Sequence, residues 1–76
     1  MKVVIYSTPT CHFCDKAKEF FKANDVKYTE YNVANDMPKR DEMKELSGGL
    51  TVPVITVGKE VIVGFEETKL RELLKI

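Results

Sequence analysis

The chain has 76 residues, of which 43% are hydrophobic and 32% charged, and it contains no tryptophan. Because a chain this short buries only about 60% of the surface that its unfolded form exposes, it cannot divide its apolar residues between two cores. Twelve basic and twelve acidic side chains give a formal net charge of zero. We therefore expect one domain over residues 1–76. We expect no binding to nucleic acid or to an anionic membrane, since both need a basic excess.

The first half of the chain predicts a strand, a helix and a second strand. Residues 3–6 form a short apolar run before a turn-forming segment, which is typical of a buried strand. Between residues 11 and 23 the apolar side chains recur with the spacing of one helix face, and Asn24-Asp25 would end that helix. Residues 26–33 are rich in β-forming side chains and predict a second strand.

The next segment predicts a helix followed by a hairpin. Asn35-Asp36-Met37-Pro38 offers a cap with proline in the first turn, and Gly48-Gly49 would close the helix. The apolar stripe of this helix would consist of Met37, Met43 and Leu46. Residues 52–57 and 61–63 are β-branched runs joined through Gly58-Lys59, where glycine in first position suits a type II′ turn.

The last segment predicts a third helix. Glu66 and Glu67 stand where a helix N-terminus favours negative charge, and Lys75 complements the opposite end. The buried face would consist of Phe65, Leu70, Leu73 and Leu74. A strand joined to the next strand through a helix implies a parallel pair, whereas the hairpin is antiparallel. We therefore predict an α/β fold in which three helices flank a four-stranded mixed sheet, in the order βαβαββα.

The two cysteines, Cys11 and Cys14, lie three residues apart at the predicted start of the first helix. The N-terminal apolar run is too short for a signal segment, so we expect a cytoplasmic protein, in which such a pair is catalytic or metal-binding more often than structural. Helix-start N–H groups and the helix dipole would stabilise a thiolate at Cys11. We predict that Cys11 attacks a substrate disulfide and that Cys14, deeper in the helix, resolves the mixed disulfide.

Three other interpretations of the cysteine pair compete with this one. A metal site within one chain needs four ligands, and beyond the cysteines the chain offers only His12, so we expect no such site. An iron–sulfur cluster or metal ion held by Cys11 at a dimer interface would obtain its missing ligands from a second copy. Inert buried cysteines would have no need to lie at a helix start.

The pair also belongs to a wider set of motifs. Residues 6–14, Thr51-Val52-Pro53 and Gly64-Phe65-Glu66 together resemble a glutaredoxin, in particular the short glutaredoxin-like redoxins of bacteria and archaea, and the resemblance covers essentially the whole chain. It implies the thioredoxin fold and dithiol–disulfide exchange in a monomer. Disulfide-containing proteins would be partners, and glutathione would be a co-substrate, with no tightly bound cofactor.

The resemblance implies roles for residues outside the pair. The bond before Pro53 would be cis and face the dithiol, which leaves the Val52 backbone free to pair with a substrate chain. From the residues themselves, Phe13 would lie at the rim or in the core beside the site. His12 would either favour the Cys11 thiolate as imidazolium or, as an exposed neutral side chain, only cover surface. The residues expected to contact substrate or glutathione are Phe13, Thr51, Val52, Pro53, Gly64, Phe65 and Glu66.

The sequence departs from glutathione-using members of this family at three places. Many of them carry a Lys before the first cysteine, a Pro between the cysteines and a late Gly-Gly-Cys/Ser-Asp run, whereas this chain has Ser7-Thr8, His12 and Val63-Gly64-Phe65-Glu66. Lys39 and Arg40 are the obvious cations left for the glycine carboxylate of glutathione. The electron donor therefore stays open between glutathione and thioredoxin reductase, and a redoxin dedicated to one reductase is an alternative.

Overall fold

The computed structural model describes residues 2–76 and confirms the predicted order of elements. The elements are β1 (Val3–Ser7), α1 (His12–Ala23), β2 (Thr29–Asn32), α2 (Met37–Ser47), β3 (Val54–Val57), β4 (Glu60–Val63) and α3 (Glu67–Leu74). The strands form one mixed sheet in the order β2-β1-β3-β4. β1 is parallel to β2 and antiparallel to β3, and β3 is antiparallel to β4. The predicted four-stranded α/β architecture is therefore confirmed.

The central strand β1 feeds a separate apolar cluster on each face of the sheet. Because side chains alternate along a strand, Val3 and Ile5 enter one cluster while Val4 and Tyr6 enter the other. The larger cluster holds three of the four buried residues of α1, which are Ala17, Phe20 and Phe21, together with Leu70, the buried residue of α3. The smaller cluster holds Met43, the buried residue of α2. Two helices therefore cover one face and α2 covers part of the other.

Local signals placed the ends of α2 and the hairpin turn correctly. The Asp36 side chain accepts a 3.2 Å hydrogen bond from the Lys39 N–H, Pro38 lies in the first turn, and Gly48 ends the helix with a φ of 78°. At the hairpin, Gly58 has a φ of 60° whereas Lys59 keeps a negative φ, which is the pattern of a type II′ turn.

Two predicted strands are shorter than expected. β2 begins at Thr29 because Asp25 adopts a φ of 56° and the Val26 N–H donates to the Phe21 carbonyl at 2.8 Å. Residues 26–28 therefore fold back against the helix, and Tyr28 packs on the larger cluster without pairing in the sheet. β3 begins only at Val54, because proline at position 53 has no N–H to donate to a ladder.

The predicted apolar stripe of α2 is wrong for two of its three members. Met37 and Leu46 keep 46% and 44% of their surface exposed, and Met43 alone is buried. A short helix that crosses only part of a sheet face turns few side chains toward the core. In the last helix Leu70 is buried as predicted, while Leu73 and Leu74 are partly buried against the same cluster and Phe65 precedes the helix.

Candidate functional site

The sheet register brings three loops to one edge of the sheet. Tyr6 near the end of β1 pairs with Val54 at the start of β3, and Val54 pairs with Val63 at the end of β4. The loop that carries Cys11 follows β1, the loop that holds residues 51–53 precedes β3, and residues 64–66 follow β4. The Gly64 N–H donates a 2.7 Å hydrogen bond to the Pro53 carbonyl, which joins two of these loops directly.

Cys11 occupies the N-cap of α1. Its backbone is extended, its N–H donates to the Thr8 carbonyl at 3.2 Å, and its Sγ accepts a 3.1 Å hydrogen bond from the Cys14 N–H. The sulfur therefore lies where free helix N–H groups and the positive end of the helix dipole meet. This arrangement can stabilise a thiolate at Cys11.

The two cysteines are joined by a disulfide but differ in accessibility. Their Cα atoms are 5.2 Å apart, as the three-residue spacing on a helix requires. Cys14 is completely buried, whereas Cys11 keeps part of its surface exposed. A molecule in solution can therefore reach Cys11 but not Cys14.

The predicted contact residues surround this edge with different exposures. Thr51 is exposed, Val52 is partly buried and Pro53 is buried, and the bond between Val52 and Pro53 is cis, as the resemblance implied. Gly64 has a φ of 88°, a backbone conformation that favours glycine. Their contacts with a ligand stay predictions.

The loop after β4 points its two remaining residues in different directions. Glu66 is exposed at the N-cap of α3 and makes no capping hydrogen bond through its side chain. The ring of Phe65 packs 5.8 Å from that of Phe20, on the larger cluster. Phe65 therefore lies in the loop but turns its ring toward the core. Its contact with substrate stays a prediction.

Phe13 lies at the rim and not in the core, with 56% of its surface exposed. The Lys16 Nζ lies 5.5 Å from its ring centroid, and the His12 ring meets it edge-on at 6.5 Å. His12 itself is exposed at the first residue of α1. The predicted effect of His12 on the Cys11 thiol stays a prediction.

A set of polar contacts that sequence reasoning missed joins β1, α1 and β2. The hydroxyl of buried Ser7 donates a 2.8 Å hydrogen bond to Glu30, which also accepts 2.9 Å from Lys18 on α1. The bonds from Lys18 and Ser7 hold the pKa of the Glu30 carboxyl below its usual value. A serine at the end of an apolar strand was the one available signal, because its partner lies 23 residues away.

Lys39, one of the two cations considered for the glutathione carboxylate, is engaged elsewhere. Its ammonium lies 3.0 Å from Glu42 and 4.3 Å from the centroid of the Tyr31 ring. Within residues 2–76, no three His, Cys, Asp or Glu side chains lie close enough together to hold a metal ion. None of the helices in this described range is long and apolar enough to cross a membrane.

Comparison with known proteins agrees with this geometry. The glutaredoxin family profile matches residues 3–62. The chain is 42% identical to a glutaredoxin-like 8.6 kDa protein in the rubredoxin operon of Clostridium pasteurianum. The alignment spans 73 residues and covers 96% of this chain and 97% of that protein. It is 34% identical over 65 residues to glutaredoxin 3 of Escherichia coli, covering 86% of this chain and 78% of the relative.

A solved structure extends the similarity to the whole fold. A single-residue variant of the thioredoxin-like protein BC3987 superposes with a TM-score of 0.93 at 35% identity, covering 99% of this chain and 96% of the other. The fold is therefore thioredoxin-like. The family match and the Cys11–Cys14 pair together support thiol–disulfide redox activity. The chain belongs to the glutaredoxin family, as its motifs indicated.

Proposed function

We propose that the protein is a thiol–disulfide oxidoreductase that reduces protein disulfides or glutathione mixed disulfides, with Cys11 as the nucleophile and Cys14 as the resolving thiol. The observation that carries the proposal is the asymmetry of the two sulfurs. Cys11 is partly exposed at a helix N-cap, and Cys14 is buried one turn later. An accessible thiolate is needed to attack a substrate, and a second thiol within bonding distance is needed to release it.

The exchange proceeds in two balanced steps. The Cys11 thiolate attacks one sulfur of the substrate disulfide, so that a mixed disulfide forms and the other substrate sulfur leaves as a thiolate. The Cys14 thiol then gives up its proton and attacks the Cys11 sulfur, which forms the Cys11–Cys14 disulfide and releases the second substrate thiolate. The substrate gains two electrons and the protein loses two.

The substrate would lie across the edge where the three loops meet. Among the described residues the backbone of Val52 has no ladder partner, and it can pair with an extended substrate segment. Thr51, Glu66 and the rim residue Phe13 are exposed beside it. Of the two cations considered for the glutathione carboxylate, Lys39 already contacts Glu42 and Tyr31, which leaves Arg40 as the candidate. We therefore test both electron donors.

The experiment offers the oxidised protein two recycling systems in parallel, glutathione with glutathione reductase or thioredoxin reductase alone, each with NADPH. Insulin and a glutathionylated peptide serve as substrates. Cys11→Ser should abolish turnover in every combination, and Cys14→Ser should accumulate a mixed disulfide at Cys11. Whichever system sustains turnover identifies the donor. Wild-type turnover that survives in Cys11→Ser, or no turnover with either donor, would contradict the proposal.

A further inference from the structure

A second surface lies on the α2 face of the sheet, away from the dithiol. Met43 anchors α2 over Tyr6 and Val54, toward the dithiol edge of the sheet. The next row of side chains on this face pairs across three strands through Val4, Thr56 and Val61. α2 leaves this row partly uncovered, and a groove of about 410 Å³ runs between the row and the helix. We call it the α2 groove.

The α2 groove has a mainly apolar floor and one apolar wall. Val4 and Val61 supply the floor with Thr56 between them, and Leu46 on α2, which stays 44% exposed, supplies the wall. The ring of Tyr31 lines the groove at its β2 end. Its volume lies within the roughly 300–1,000 Å³ typical of sites for small molecules. Its volume and the three apolar side chains can accommodate the body of a small organic molecule, while the rest of its lining is polar.

The charges around the α2 groove are unbalanced, although the whole chain is neutral. Lys2, Lys39 and Lys59 line it together with a single carboxylate, Glu42. That carboxylate already accepts hydrogen bonds from Tyr6 at 2.8 Å and from Lys39 at 3.0 Å.

Two of these lysines, Lys2 and Lys59, belong to the same end of the groove and form no ion pair with a described residue, although the charge of Lys2 helps to lower the pKa of the Glu42 carboxyl. The Gly58 N–H donates a 2.9 Å hydrogen bond to the Lys2 carbonyl, which places Lys2 beside the turn that carries Lys59. Across residues 2–76, neither lysine forms an ion pair. Glu60, although next in sequence to Lys59, alternates with Val61 and so belongs to the opposite face of the sheet, with buried Ile62.

We propose that the α2 groove binds a small organic anion with an apolar body, of the class of medium-chain carboxylates. The anionic head lies between the ammonium groups of Lys2 and Lys59, and the hydrocarbon lies on Val4, Val61 and Leu46. The α2 groove lies toward the start of β1, whereas the dithiol follows the end of that strand. This inference does not depend on the proposed redox function.

The test is an NMR titration of the oxidised protein with octanoate below the concentration at which it forms micelles. Octan-1-ol, which lacks the charge, and acetate, which lacks the apolar body, are the ligand controls. We expect octanoate to shift the backbone amides of Val4, Thr56 and Val61 in a saturable way. Octan-1-ol and acetate should bind at least fivefold more weakly.

Two variants then separate a built site from general surface attraction. The double variant Lys2→Gln/Lys59→Gln should weaken octanoate binding at least fivefold. The matched double variant Lys44→Gln/Lys69→Gln, which removes two exposed lysines outside the α2 groove, should bind like the wild type. The proposal is overturned if octanoate does not saturate, if either control ligand binds equally well, or if both double variants behave alike.

Discussion

Lys18 on α1 and Glu30 on β2 form an ion pair of 2.9 Å. It ties the helix that follows Cys11 to β2, the outermost strand on one side of the sheet. Both side chains remain partly exposed, at 24% and 39%. The same carboxylate oxygen accepts the hydroxyl of buried Ser7, four residues before Cys11. Glu30 therefore holds together the strand before the cysteine loop and the helix after it.

The contribution of Ser7 can be measured by removing its hydroxyl. Ser7→Ala deletes the 2.8 Å hydrogen bond to Glu30, and we expect a loss of about 1 kcal/mol in the free energy of unfolding. Urea denaturation gives this value, with Thr68→Ala on the exposed side of α3 as the control that should change little. A Ser7→Ala protein as stable as the control variant would show that the bond contributes nothing net.

Acid should weaken the protein partly through Glu30. Because the bonds from Lys18 and Ser7 lower the pKa of this carboxyl in the folded state, its contribution to stability is fully present above the ordinary value of 4.5. The contribution is lost as the pH falls through the folded-state pKa. The free energy of unfolding, measured by urea at about pH 7 and about pH 3, should therefore fall less in Glu30→Gln than in the wild type. Equal declines would contradict this account.

The two methionines of α2 should differ sharply in their effect on stability. Met43 is buried in the smaller cluster, so Met43→Ala should cost about 2–5 kcal/mol. Met37, at the start of the same helix, is 46% exposed, and Met37→Ala should change stability by about 0.5 kcal/mol or less. Chemical denaturation of the pair measures the difference. Similar losses for both variants would mean that Met43 does not anchor α2.

Gly64 should resist replacement for a conformational reason alone. Its φ is 88°, and no described atom outside its neighbours lies within 4 Å of an added Cβ. Gly64→Ala should therefore cost about 1–2 kcal/mol through backbone strain and not through a clash. Gly49→Ala is the matched control, since Gly49 is equally open and has no positive φ. Thermal unfolding that ranks the two variants in the reverse order would refute this explanation.

Strong local signals in the sequence predicted most of the fold. The helical spacing in α1, the Asp36 cap and the Gly48 stop act within a few residues and survive in the structure. The prediction of a strand over residues 26–28 was wrong, because β-forming side chains serve equally well in a segment that packs on the core after a turn at Asp25. Local propensity does not distinguish those two outcomes.

In the candidate site, too, the features that depend on neighbouring residues were predicted and those that depend on distant residues were not. Cys11 and Cys14 are three residues apart at a helix start, so helix geometry brings them within bonding distance, and the deeper position of Cys14 in the helix indicated its greater burial. The hydrogen bond between Gly64 and Pro53 depends on the register of the sheet. The family resemblance indicated both residues as site residues but did not predict this bond. The bond between Ser7 and Glu30 joins residues far apart in sequence, and neither residue type specifies the other.

If Cys11 is the reactive thiolate, alkylation of the reduced protein across pH will show it. Iodoacetamide is added at each pH and the modified cysteine is identified by mass spectrometry, with Cys14→Ser as a check on the assignment. We predict that Cys11 reacts first, with a midpoint well below the value of about 8.5 for a free thiol. A midpoint at or above that value, or faster alkylation of Cys14, would contradict the account.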